Sequence, residues 1–146
     1  MVYTEQGDLM NHPNDILGNK WGQRVALLSL LLIFFALPHT LEDFATGEPA
    51  KAGVPAPLLA TVVSTVFAVH ALGLYWLGQK RRGGLFIHLG IGLFWPVASG
   101  LAQMPTILNG EPYRAGAISV AYVAGMIVVG FLLLVSALMA LRSRLD

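Results

Sequence analysis

The sequence predicts an all-α polytopic membrane protein, a four-transmembrane-helix bundle with both termini in the cytoplasm. Three observations predict it. Of 146 residues, 55% are hydrophobic and only 12% charged, against roughly 25% charged in a soluble domain. Four mostly apolar runs, each of about 20 residues or more, can cross a ~30 Å hydrocarbon core at 1.5 Å per residue. Basic residues fall almost wholly on one side of those runs.

Residues 1–22 read as a polar cytoplasmic tail, with a turn signal at Asn11-His12-Pro13-Asn14. The stretch from Asp15 to Trp21 suits the membrane interface, where Trp favours the headgroup level. Residues 23–146 form the membrane domain. Its spans cover about 24–44, 57–78, 84–106 and 116–141. A segment in hydrocarbon must satisfy its own backbone groups, so each is a helix.

Only Gln79 to Gly83 separate spans two and three, which forces an antiparallel hairpin. The first loop, ATGEPAKAGVPAP, is rich in Pro, Gly and Ala and reads as irregular. The third carries a turn signal at Asn109-Gly110. Lys20, Arg24, Lys80, Arg81, Arg82, Arg142 and Arg144 lie on one side, and Lys51 and Arg114 on the other. That bias puts the first group inside. Helical spans fit an inner or plasma membrane rather than an outer one. A rival reading treats span one as a signal peptide cleaved near Ala50-Lys51-Ala52. The long polar stretch ahead of the run, and the distance to Ala-Lys-Ala, argue against it.

Several function classes drop out. A net charge of +1 gives no basic surface for nucleic acid. With no cysteine there are no disulfides, thiolate metal sites or thiol redox chemistry. No phosphate-binding glycine loop, HExxH or nucleophile elbow is present. No motif names a reaction.

Small residues at spacing four let helices approach closely in lipid. Ala60, Ser64 and Ala68 in span two, Gly92, Pro96 and Gly100 in span three, and Ala117, Ala121 and Gly125 in span four form such ridges. They read as helix–helix seams, with homo-oligomer contacts as the alternative. Pro38, Pro96 and Pro105 each remove a backbone donor and predict local bends.

Ionisable groups inside a membrane are costly, so they are candidates for function. His39, Glu42 and Asp43 share a face at the outer end of span one, at i, i+3 and i+4. They could hold a divalent metal or pass protons; the plain alternative is a helix end reaching water. His70 sits mid-span and could ligate haem, contact a quinone, or simply bond a neighbouring helix. His88, Gly92, Trp95, Ser99 and Gln103 form one stripe of span three, facing the bundle interior. His70, His88, Trp95 and Gln103 are the candidate cofactor-binding residues. His70 and His88 are closest in depth, so a bis-histidine haem would use that pair.

Three functions remain. The leading one is an intramembrane His and carboxylate site for a lipophilic cofactor or substrate (haem or quinone) or a metal ion, within an electron-transfer chain. The second is an accessory or assembly subunit packed against other membrane helices in a homo-oligomer or larger complex. The third is an oligomeric transporter or channel.

Overall fold

The computed structural model describes residues 20–110 and 112–143. The expected tail over 1–19, its turn at Asn11 to Asn14, the stretch from Asp15, and Arg144 lie outside the described residues. The chain forms α1 (Lys20–Ala45), α2 (Glu48–Lys51), α3 (Ala56–Gly78), α4 (Arg82–Leu108) and α5 (Ala117–Arg142). Helices α1, α3, α4 and α5 are long and apolar enough to cross a membrane. They run antiparallel in sequence order and make a four-helix bundle.

The ends agree with the expected spans to within a few residues. Lys20, Trp21 and Gly22, expected in the tail, already belong to α1. The helices run through Pro38, Pro96 and Pro105. The first loop, expected to be irregular, holds the single turn α2. Pro49 in its first turn has the φ a helix start needs, and Gly47 and Gly53 bracket it at φ 72 and 68.

Helix α5 packs against both α1 and α4, and α3 leans mainly on α4. The core lies along Val25, Leu32 and Ala36 of α1 against Val123, Met126, Leu133 and Ala137 of α5, all fully buried. Leu27, Phe34, Leu101 and Phe131 point outward. In a bilayer that surface meets lipid.

Two seams fix the spacing. A Cβ on Gly92 would stand 2.7 Å from the Leu134 amide nitrogen, and one on Gly130 would stand 2.6 Å from Pro96 Cδ. Glycine here lets α4 and α5 touch backbone to backbone. In the α3–α4 hairpin, a Cβ on Gly84 would stand 2.8 Å from the Gly73 carbonyl. Gly92 and Pro96 therefore lie in a seam, while Gly100 of the same ridge meets nothing within 4 Å. On the span-four ridge Gly125 rests on the Phe35 ring, while Ala117 and Ala121 are exposed. The span-two ridge is different. Ser64 and Ala68 are exposed and Ala60 half-buried, so this face of α3 looks away from the bundle. The spacing shows a smooth face but not its direction, because α3 is the least buried of the four helices.

Candidate functional site

The structure gathers the polar residues into two groups, one near mid-bundle and one at the end where the longer loops lie. The span-three stripe faces inward: His88, Trp95 and Ser99 are buried and Gln103 half-buried, while Leu93 and Val97 are exposed.

The first group joins three helices. Ser29 of α1 lies between His70 of α3 and His88 of α4, and all three side chains are fully buried. Its Oγ is 2.5 Å from His70 Nε2 and 2.8 Å from His88 Nε2. His88 Nδ1 lies 2.6 Å from the Gly84 carbonyl oxygen. The rings meet edge to face with centroids 5.5 Å apart. His70 Nδ1 is buried and has no hydrogen-bond partner. The depth argument brings the two histidines into reach, and the structure puts them together. It does so around a hydroxyl, so the place an iron would take between the two Nε2 atoms is filled by Ser29. These residues do not fit a bis-histidine haem.

The second group is built on Arg114. Its backbone has φ 43, a left-handed conformation that costs a non-glycine residue roughly 1–2 kcal/mol. The contacts of its nearly buried side chain offset that cost. Nη1 pairs with Asp43 Oδ1 and lies 3.5 Å from His39 Nδ1. Nη2 donates to Gln103 Oε1 at 3.1 Å and lies 3.9 Å from Glu48 Oε2. Tyr113 OH donates to the same Gln103 oxygen at 2.7 Å. Glu42 Oε1 accepts from Ser119 Oγ, which ties α1 to α5. His39 Nε2 lies 3.7 Å from Asp43 Oδ2 and its Nδ1 4.0 Å from Glu42 Oε2. His39, Glu42 and Asp43 thus share a face as the spacing predicts, yet the cation in their midst is a guanidinium. Among the described residues no three His, Asp or Glu side chains are grouped to hold a metal. The set does not fit a divalent-metal site.

Burial pushes the Tyr113 phenol up to about 12. A hydrogen bond from Lys51 holds the Glu48 carboxyl below its ordinary value. Both residues lie in loops outside the long helices.

A cavity of about 320 Å³ opens between α1, α3 and α4. Its polar mouth is made by His39, Asp43, Glu48, Gln103 and Arg114, and its apolar walls include Val62, Val66 and Phe94. Trp95 and Ser99 also line it. The Trp95 Nε1 donor is buried and unpartnered, and the Phe67 ring stands 5.8 Å from the indole. Below, an apolar groove of about 300 Å³ between α3 and α4 shares Val66 and Phe94 with the cavity and passes over Gly90. On the loop side, a second recess shares Glu48, Ala102, Gln103 and Arg114 with it, so these four residues lie between the two spaces.

Sequence reasoning missed Ser29, Glu48, Tyr113, Arg114 and Ser119. Ser29 carries the one usable signal, a hydroxyl alone in Val-Ala-Leu-Leu-Ser-Leu-Leu-Leu. Arg114 and Tyr113 read as loop residues, because nothing local shows that their loop folds back over the bundle.

Fold and site together define a small polytopic membrane protein with a half-open amphipathic cavity and two buried polar clusters. Compared with known protein families, curated proteins and solved structures, the chain matches none.

Proposed function

We propose that the cavity between α1, α3 and α4 binds a neutral lipophilic molecule with a hydrogen-bond-accepting head, of the quinone class, and that the protein serves membrane electron transfer. The observation that carries this reading is the Trp95 Nε1 donor, buried without an acceptor on a residue of the cavity wall. An unmet buried donor costs about 1–3 kcal/mol, and a carbonyl head would satisfy it. The mouth supports a neutral head. There Asp43 and Glu48 face Arg114 and Lys51, so the charges lining the cavity are matched, while Glu42 lies behind them and is tied to Ser119. The α3–α4 groove gives an isoprenoid tail a path into lipid. His39 and Asp43 at the mouth are groups that can exchange a proton with a bound head. The charge bias favours the outer side of the membrane for this mouth.

The test is quenching of tryptophan fluorescence in nanodiscs by a head-only benzoquinone and by a long-tailed one. Saturable binding of both is expected. Trp95→Phe should weaken it about fivefold to tenfold, the worth of one hydrogen bond. Quenching that rises without saturation, as simple partition into lipid would, removes the reading.

A second reading, an accessory subunit or homo-oligomer, draws on the outward ridge of α3, Ala60, Ser64 and Ala68. It expects Ser64→Leu to break association while Trp95→Phe and His39→Ala stay silent.

A further inference from the structure

The hydrogen-bond pattern around Ser29 has only one solution when both histidines are neutral. The Gly84 carbonyl can only accept, so His88 Nδ1 carries a hydrogen. His88 Nε2 then bears a lone pair and accepts from the Ser29 hydroxyl. Ser29 has one hydrogen to give, so its oxygen must accept from His70 Nε2–H. His70 Nδ1 is left with a lone pair, buried and unpartnered. The two rings are therefore opposite tautomers, and the chain ends on a vacant acceptor. Apart from each other, neither ring has a charged neighbour among the described residues. Gly73 of α3 leaves room for the His88 ring, since a Cβ there would stand 2.8 Å from Cε1.

We propose that His70, Ser29 and His88 form a proton-loading relay that takes up one proton at His70 and holds its charge on His88. The step takes one proton from the aqueous phase and needs no other co-reactant. A proton bonds to His70 Nδ1 while the hydrogen on His70 Nε2 passes to Ser29 Oγ. The hydroxyl hydrogen passes in turn to His88 Nε2. The product has a neutral His70 in the other tautomer, a Ser29 hydroxyl donating to His70 Nε2, and a His88 imidazolium. Both N–H groups of that imidazolium are accepted, one by the Gly84 carbonyl and one by Ser29. His70 Nδ1–H has no acceptor in either placement of the charge. With the charge on His88 that unmet N–H belongs to a neutral ring, and the cation has both of its N–H groups accepted. Gly84 is the third residue of α4, so the loaded charge sits toward the basic end of the bundle. This inference is independent of the quinone reading.

The experiment is nitrogen-15 solid-state NMR on the full chain in lipid bilayers, with histidine labelled and pH lowered stepwise. At rest, His88 is expected as the Nδ1–H tautomer and His70 as Nε2–H. Loading should turn the His88 signals to imidazolium and, in the same step, shift His70 to Nδ1–H with no charge. Ser29→Ala should uncouple the rings so that each changes alone, and Ser29→Thr should restore the linked change. The wild-type spectra decide by themselves if Ser29→Ala does not fold. The proposal is overturned by equal tautomers at rest, by rings that charge separately in the wild type, or by no change in either ring down to the unfolding pH.

Discussion

Replacing Gly73 by alanine reaches from the helix hairpin into the histidine pair. The new Cβ would stand 2.7 Å from Ile87 Cγ2, 2.8 Å from His88 Cε1 and 3.1 Å from His88 Nδ1. Carbon atoms rest at about 3.5–4.0 Å, so a neighbour must yield by about 1 Å. The Ile87 methyl can rotate away. The His88 ring cannot, because it is held at both nitrogens, at 2.6 Å to Gly84 O and 2.8 Å to Ser29 Oγ. Moving it by about 1 Å takes both bonds past useful geometry, and unmet buried polar groups cost about 1–3 kcal/mol each. If α3 and α4 part instead, overpacking costs about 1–3 kcal/mol. Alanine returns up to about 1 kcal/mol in helix propensity. The net loss by the cheaper route is about 0–2 kcal/mol. Gly90→Ala is the control, since a Cβ there meets nothing within 4 Å and only the propensity gain applies. Reversible denaturant unfolding in mixed micelles should separate the two variants by about 1–3 kcal/mol, roughly 5-fold to 150-fold in the unfolding constant. If Gly73→Ala is as stable as Gly90→Ala, the close approach of α3 to the His88 ring is absent.

Arg114→Ala strips the cation from Asp43. Breaking a buried pair costs about 3–5 kcal/mol, and the partial exposure of Asp43 trims this to about 2–3; adding Asp43→Asn should recover much of the loss in the same titration. Filling the groove with Gly90→Phe should weaken the long-tailed quinone roughly fivefold, about 1 kcal/mol, and leave the head-only compound unchanged. Equal loss for both would mean the groove does not carry the tail. Tyr113 has a folded value of about 12 against about 10 unfolded. The native state then binds more protons than the unfolded one in that window, so stability should fall as pH rises from about 10 to 12. Tyr113→Phe should flatten that fall, and phenolate absorbance should show the last-ionising component disappear.

The four spans were legible because length and apolarity act residue by residue in a bilayer, with no tertiary knowledge required. The inward stripe of α4 was legible for the same reason: period 3.6 puts His88, Trp95, Ser99 and Gln103 on one face. The depth of His70 and His88 followed from rise per residue. What joined them did not, because Ser29 is one small hydroxyl whose role depends on two helices folding against it. Arg114 was hidden for a different cause. Its distance from His39 in sequence is 75 residues, and its left-handed backbone sits in a loop whose path only packing decides. The outward turn of Ala60, Ser64 and Ala68 was illegible too, since a smooth helix face looks the same whether it meets protein or lipid.

Helix α1 contributes polar side chains to both clusters, and their partners on other elements come later in the chain. Ser29 waits for His70 and His88, 41 and 59 residues on, while Glu42 waits for Ser119, 77 residues on. During biosynthesis α1 thus enters the bilayer with its serine and carboxylates unanswered. The lower cluster closes when the α3–α4 hairpin inserts; the upper one closes only once the loop ahead of α5 has emerged. Truncation before residue 112 would leave Asp43 and Glu42 in the membrane without their cation and their hydroxyl. Such a chain would carry unpaired acid groups in the membrane, and the last quarter of translation supplies the guanidinium that completes the cavity mouth.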